Sequence, residues 1–163
     1  MVSITDSPDK AARWKAQYSI ADRNVYTYDT MERMADNPDI DVVYIVTPNA
    51  LHLQHTLAAA KAGKHVYCEK PMEISLERRE QMMARVQGGG SHAGRRIPAA
   101  VQSPTTSECV RLAREKVLGT VNIVEAVSAI SVGDPSQWRL KRALAGGGAL
   151  MDVGVYACRP CAT

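Results

Sequence analysis

Asp41-Val42-Val43-Tyr44-Ile45-Val46-Thr47-Pro48-Asn49, the stretch Ala50 to Ala62, and Gly63-Lys64-His65-Val66-Tyr67-Cys68-Glu69-Lys70-Pro71 decide how this chain folds. Val42 to Val46 is an unbroken run of β-branched and aromatic residues. Such a run predicts a strand buried on both faces of a parallel sheet. Thr47-Pro48-Asn49 reads as a turn, with Asn49 placed to cap the helix Ala50 to Ala62. Gly63 stops that helix, because glycine takes the left-handed C-terminal cap without a Cβ clash. His65 to Cys68 then reads as the next strand.

The same alternation extends outward. Val2-Ser3-Ile4-Thr5 predicts a short strand. Ser7 caps a helix to about Tyr18, with Pro8 at its first position and Asp9 complementing its dipole. Asn24 to Tyr28 is a second strand, and Thr30 to Ala35 a short helix that stops at Asn37-Pro38. Ser75 opens a further helix to about Val86. Strands alternating with helices predict a doubly wound α/β fold around a parallel sheet. Further on, Glu108 to Leu118 reads as a helix closed by Gly119, and Thr120 to Val132 as a long alternating strand. The change of pattern near residue 100 places a boundary between a first domain, 1–97, and the beginning of an α+β domain, 98–163.

Composition narrows the function. The chain has 163 residues, 45% hydrophobic and 23% charged, ordinary values for a globular protein. It has no Phe and seven Met, so its core must be filled with few large aromatics. The net charge of +3 is spread out, which argues against a nucleic-acid partner. No apolar run is long enough for a membrane span, and no signal-type leader opens the chain, so a cytoplasmic location is expected. Cys158 and Cys161 are spaced C-x-x-C, but no second ligand pair accompanies them, and no metal site is expected.

Chemistry is expected at the carboxyl ends of the parallel strands, where such folds bind dinucleotides. At the first end, Asp6 can accept hydrogen bonds from adenosine ribose hydroxyls, or be a simple turn residue before a helix. At the second, Thr47, Pro48, Asn49 and His52 can hold a diphosphate or ribose. Capping by Asn49, with His52 on the helix surface, is the alternative there. At the third, Glu69 and Lys70 leave a buried strand, and Pro71 directs the Lys70 backbone. A lysine there can donate to a substrate oxygen or relay its proton. Gly146 to Tyr156 adds a glycine-rich segment in which a helix would put Asp152 and Tyr156 on one face. This acid–phenol pair suits proton handling beside Lys70, while Asp152 as a helix cap is the plainer alternative.

Together and in this order, these segments resemble the glucose–fructose oxidoreductase/inositol dehydrogenase family (Gfo/Idh/MocA), and within it the glucose–fructose oxidoreductase branch. Asp39 to His52 is similar to the family's strand–turn–helix around the nicotinamide ribose. Ala62 to Met72 is similar to the signature in which the lysine is catalytic. Gln137-Trp138-Arg139-Leu140 and Gly146 to Tyr156 resemble the active-site segment, with Tyr156 where most members carry His. The resemblance implies a partial Rossmann-type domain, hydride transfer between NAD or NADP and a sugar or polyol, and a homo-oligomer if the fold is complete. It implies catalytic Lys70, Asp152 and Tyr156. It implies cofactor contacts from Asp6, Lys10, Thr47, Pro48, Asn49, His52, Glu69, Lys70, Trp138 and Arg139. Asp6 tilts the choice toward NAD, because a carboxylate repels a 2′-phosphate. Lys10 leaves NADP open.

Three departures stand against the resemblance. The family's first strand and its G-x-G-x-x-G turn are absent, with Met1 falling at about the second strand. Gln87 to Ser107 lacks the family's buried strand and its aromatic–Arg–Pro pattern. A one-base frameshift corrected near Glu108 would account for that, and for the missing Phe; the gene's shifted frame decides it. Ala157 to Thr163 departs from the expected helix, and the large sheet of the second domain is missing. Two further readings therefore remain open: a non-catalytic remnant, and one part of a split enzyme.

Overall fold

The computed structural model of the chain describes residues 1–88, 93–95, 104–154 and 156. Residues 89–92 and 96–103, the expected 97/98 boundary and the tail with Cys158 and Cys161 lie outside them.

Strand β1 is Ser3–Ile4. Helix α1, Pro8–Tyr18, starts as its sequence predicts: the Ser7 side chain accepts the Lys10 N–H and Pro8 sits in the first turn. Strand β2 is Val25–Tyr26, followed by a 3₁₀ helix, Tyr28–Asp36. Strand β3 is Val42–Ile45, and a 3₁₀ turn at Asn49–Leu51 runs into α2, His52–Lys61. Gly63 has φ 73°, and Lys64 N–H donates to Ala59 C=O at 3.1 Å, closing α2 as the glycine predicts. Strand β4 is His65–Cys68, helix α3 Leu76–Gly88 and strand β5 Ala93–Arg95.

Among the described residues all strand pairs are parallel, in two sheets of order β2–β1 and β3–β4–β5. In the doubly wound strand order, the position between β1 and β3 belongs to the fold's first strand. Among the described residues no strand occupies it. The sheets share one core: Tyr26, Met31, Met34, Ile40, Val43, Ile45, Leu53, Val66 and Met82 are buried together, with Ile4 packed against them. Methionine, unbranched and adaptable, does much of the filling that phenylalanine does elsewhere.

Several expectations change. β3 is buried on one face only: Val43 and Ile45 are covered, while Val42 is 53% and Tyr44 46% exposed. The reason is where its neighbours lie. Helix α2 packs on β3, β4 and α3, and these contacts serve a single face. β5 forms within the segment that does not fit the family pattern, pairing Val66 with Ala93 and Cys68 with Arg95. Ladder bonds use backbone groups, so an unusual side-chain pattern does not prevent them. The expected Glu108–Leu118 helix begins earlier and ends earlier, as α4, Pro104–Arg114. Residues 120–132 form no described strand and are largely exposed, with Ile123 86% and Val127 87% accessible. Alternation marks a segment suited to a sheet, but a strand needs a neighbouring ladder, and none of the described residues supplies it. A 3₁₀ turn at Trp138–Leu140, helix α5 (Arg142–Ala145) and helix α6 (Gly148–Asp152) complete the described chain.

Candidate active site

The carboxyl ends of β3 and β4 meet α5 and α6. Lys70, two residues beyond β4, carries its amine to the end of α6. There Nζ lies 2.9 Å from Asp152 Oδ1 and also donates to the Asp152 backbone carbonyl. Both side chains are mostly buried, at 13% and 17% exposure. The second carboxylate oxygen accepts Arg139 Nε at 2.9 Å. Arg139 also stacks on Trp138, its guanidinium carbon 4.6 Å from the ring centroid. Lys70 Nζ stands 4.9 Å from the Tyr156 ring centroid. Helix α6 stops at Asp152, and the Tyr156 N–H donates to Val153 C=O at 3.1 Å. The acid and the phenol thus reach the lysine together although α6 itself ends at Asp152.

Burial works against the Asp152 charge. The hydrogen bonds and charges of Lys70 and Arg139 outweigh it and hold the carboxyl below the usual range. At the same strand end, Glu69 accepts the Tyr44 hydroxyl and, at 3.2 Å, the Lys70 backbone N–H. A cavity of about 180 Å³ opens here, lined by Thr47, Asn49, Glu69, Lys70, Trp138 and Asp152 among others. A neighbouring cavity of about 300 Å³ shares Asn49, Trp138, Arg139 and Asp152, and has apolar walls from Ile130, Val132 and Val153.

Two side chains differ from the sequence reading. Asn49 does not cap α2: Leu51 takes that position, and Pro48 caps the preceding 3₁₀ turn, neither with a side-chain bond. Asn49 is instead buried, and its Nδ2 donates to Ala145 C=O at 3.0 Å. His52 is not on the surface. It is 1% exposed, with its two ring nitrogens 2.8 Å from the Pro71 and Thr47 carbonyls. Asp6 and Lys10 lie apart from these cavities, Asp6 at the end of β1 and Lys10 on exposed α1. The Asp6 carboxylate accepts the Tyr28 N–H at 2.7 Å, which ties the ends of β1 and β2 together.

Sequence reasoning missed three supporting groups. Tyr44 holds Glu69. His55 packs on Tyr28 with ring centroids 4.3 Å apart and contacts Thr47 Oγ1 at 3.1 Å. Burial, with His52 adding and Asp6 opposing, lowers the His55 pKa. Burial first and Asp6 second raise that of Tyr28. Glu73 is fully buried and bonded by Arg78, and it accepts the Leu53 and Ile74 N–H groups, fastening α2 and α3 behind Lys70. The spacing of His52 and His55, three apart on one helix, was the available signal for the histidine pair.

A parallel α/β sheet with polar groups gathered at its strand ends is the architecture on which dinucleotides bind. The chain belongs to the Gfo/Idh/MocA oxidoreductase family: the model for the oxidoreductase family with an NAD-binding Rossmann fold matches residues 2–93, and that for the GFO/IDH/MocA C-terminal domain matches residues 107–159. It is 35% identical over 162 residues to D-xylose 1-dehydrogenase [NADP(+)] of Haloarcula marismortui, covering 95% of this chain and 44% of that protein. Its structure is similar to that of aldose-aldose oxidoreductase from Caulobacter crescentus complexed with glycerol, with TM-score 0.84 and 40% identity over 99% of this chain and 48% of that one. It also resembles levoglucosan dehydrogenase in complex with NADH and levoglucosan, with TM-score 0.68 and 27% identity over 98% of this chain and 43% of that one. The chain therefore spans under half the length of these relatives. No helix among the described residues is long and apolar enough to cross a membrane.

Proposed function

We propose that this chain carries the proton-handling part of a site for hydride transfer between a nicotinamide dinucleotide and an alcohol carbon of a sugar or polyol. The observation that carries this reading is the convergence of Lys70, Asp152 and Tyr156 beside a cavity walled by Trp138 and Arg139. The relatives act on or bind sugar-like molecules, which supports the substrate class.

The residues present fit the nicotinamide end of such a cofactor. Thr47, Asn49, Glu69 and Trp138 line the cavity at the strand ends, and Asp6 offers a carboxylate at the end of β1. Among the described residues, no glycine-rich turn between a strand and a helix offers N–H groups to a diphosphate. When bound, the dinucleotide supplies the hydride acceptor or donor. Lys70 gives a proton to, or takes one from, the reacting oxygen as hydride moves at the attached carbon. Asp152 holds the lysine amine in place and balances its charge. Tyr156 presents its ring to the same amine and closes one side. Asp6 favours NAD, since its carboxylate accepts from ribose hydroxyls and repels a 2′-phosphate.

The test is a fluorescence titration of the purified chain with NADH and NADPH, followed by NADH-dependent reduction of sugar substrates. Saturable binding, stronger for NADH, and a Lys70→Met rate at least ~100-fold lower are expected. No saturable binding refutes catalysis by this chain alone. The second reading, a non-catalytic remnant that associates with other chains, then stands. The open sheet edges and the exposed 120–132 segment favour that reading.

A further inference from the structure

The Asp152 carboxylate meets Lys70 across 82 positions of sequence. Something must place the segment that carries it. The ion pair itself is poorly suited to that task, because its attraction is offset by the desolvation of both groups. It would also fail whenever Lys70 turned toward a substrate oxygen.

Two neutral contacts sit just before α6. The first is the bond from Asn49 Nδ2 to the Ala145 carbonyl, 3.0 Å long and spanning 96 positions. Asn49 is 2% and Ala145 5% exposed, so little bulk solvent competes for this bond. The second is at Gly146. Its φ is +77°, and a Cβ there would fall 2.9 Å from both Cβ and Cγ2 of Ile74. Only glycine allows this approach. Asn49 follows β3 and Ile74 follows β4, so the contacts hold the segments after the two strands, the second of which carries Lys70. On either side of the gripped point lie the 3₁₀ turn with Arg139 and helix α6 with Asp152.

We propose that Asn49 and Gly146 form a neutral latch that delivers Asp152 and Arg139 to Lys70, which makes both of them positioning residues. This rests on the reading of Lys70 as the proton-handling group, but the latch can be observed without turnover. Asp152 is the reporter. The charged groups facing it are Lys70 and Arg139, and their proximity holds its carboxyl below the ordinary range.

The experiment follows the Asp152 side-chain carboxyl carbon by NMR across an acid titration, assigned with Asp152→Asn. It is run on the full chain and on Asn49→Leu, Gly146→Ala and Gly133→Ala. Asn49→Leu removes the donor at similar volume, and Gly146→Ala forces the segment away from Ile74 with no polar change. Neither residue belongs to the hydrophobic core, and circular dichroism with thermal melting reports whether each variant folds. Gly133 has nothing within 4 Å of a built Cβ and serves as the control. In the parent chain and Gly133→Ala the carboxyl titrates below the usual range. In both latch variants the midpoint moves up toward that range, with the core melt retained. A midpoint unchanged in either folded latch variant overturns the proposal, as does an ordinary midpoint in the parent chain. Because NADH plays no part, failure here is separable from failure of the hydride-transfer reading. If one latch variant does not fold, the other decides alone.

Discussion

Replacing Glu73 with Gln tests whether the connection behind Lys70 is held by charge. The Glu73 side chain is fully buried and accepts four hydrogen bonds: Leu53 N–H at 3.2 Å, Ile74 N–H at 2.6 Å, and Arg78 Nε and Nη2 at 2.8 Å each. Burial opposes ionisation. The Arg78 bonds, the two backbone bonds and the Arg78 charge together outweigh it and lower the pKa. A glutamine has one acceptor oxygen, so its amide group would face donors on the other side. Two of the four bonds are lost, and each hydrogen bond to a charged group contributes ~1.5–3 kcal/mol. Arg78 is 37% exposed, so its share is taken at the low end. The expected loss is about 3–5 kcal/mol, in the range seen when one partner of a buried pair is removed. For a domain of this size that corresponds to a fall in Tm of roughly 6–20 °C. The pH dependence has a definite sign. The folded carboxyl lies below its unfolded value, so its contribution is complete above the unfolded pKa of ~4.3. It is lost as pH falls through the folded value. Urea melts of parent and variant from neutral to acid pH measure both effects. A loss below ~1 kcal/mol at neutral pH, or a difference that does not shrink on acidification, refutes the account.

Other expectations follow from burial. Met34 is 0% exposed, and Met34→Ala should cost about 2–5 kcal/mol in a urea melt, with little change in slope. A cost under ~1 kcal/mol would show that this core position is not tightly packed. Among the described cysteines, Cys109 is exposed, while burial and then Glu69 and Glu73 push the Cys68 thiol up to about 12. Peptide mapping after brief alkylation of the folded chain should find Cys109 modified and Cys68 intact. Equal labelling of the two would contradict the buried strand end.

The parts of the fold legible in the sequence are those set by neighbours in the chain. Ser7 and Pro8 start α1, Gly63 ends α2, and the apolar runs mark β3 and β4, because capping and periodicity act over a few residues. What eluded it depends on distant partners. Asn49 has the right chemistry for a cap, yet a carbonyl 96 positions away takes its amide. Residues 120–132 alternate as a strand should, but alternation carries no information about whether a ladder is there to receive it. The β3 side chains that face away from α2 carry the same β-branched signature as those beneath it, so composition could not tell the covered face from the open one. At the site, the grouping of Lys70, Asp152 and Tyr156 was legible through the family resemblance. The supports Tyr44 and Glu73 were not, because each acts through another residue, and His55 left only its spacing from His52 as a signal.

The break between the two sheets has a consequence for how the molecule opens. Hydrogen-bonded ladders pass cooperativity from strand to strand, and among the described residues no ladder joins β1 to β3. The β1–β2 pair is joined to the rest by side-chain packing through residues such as Tyr26, Met31 and Ile4. It is expected to act as a separate cooperative unit of few bonds, opening while β3, β4 and α2 stay closed. Its amides should then exchange with solvent at a lower opening free energy than those of β3 and β4. Asp6, at the end of β1, thus stands on the less protected unit, whereas Lys70 stands on the better protected one.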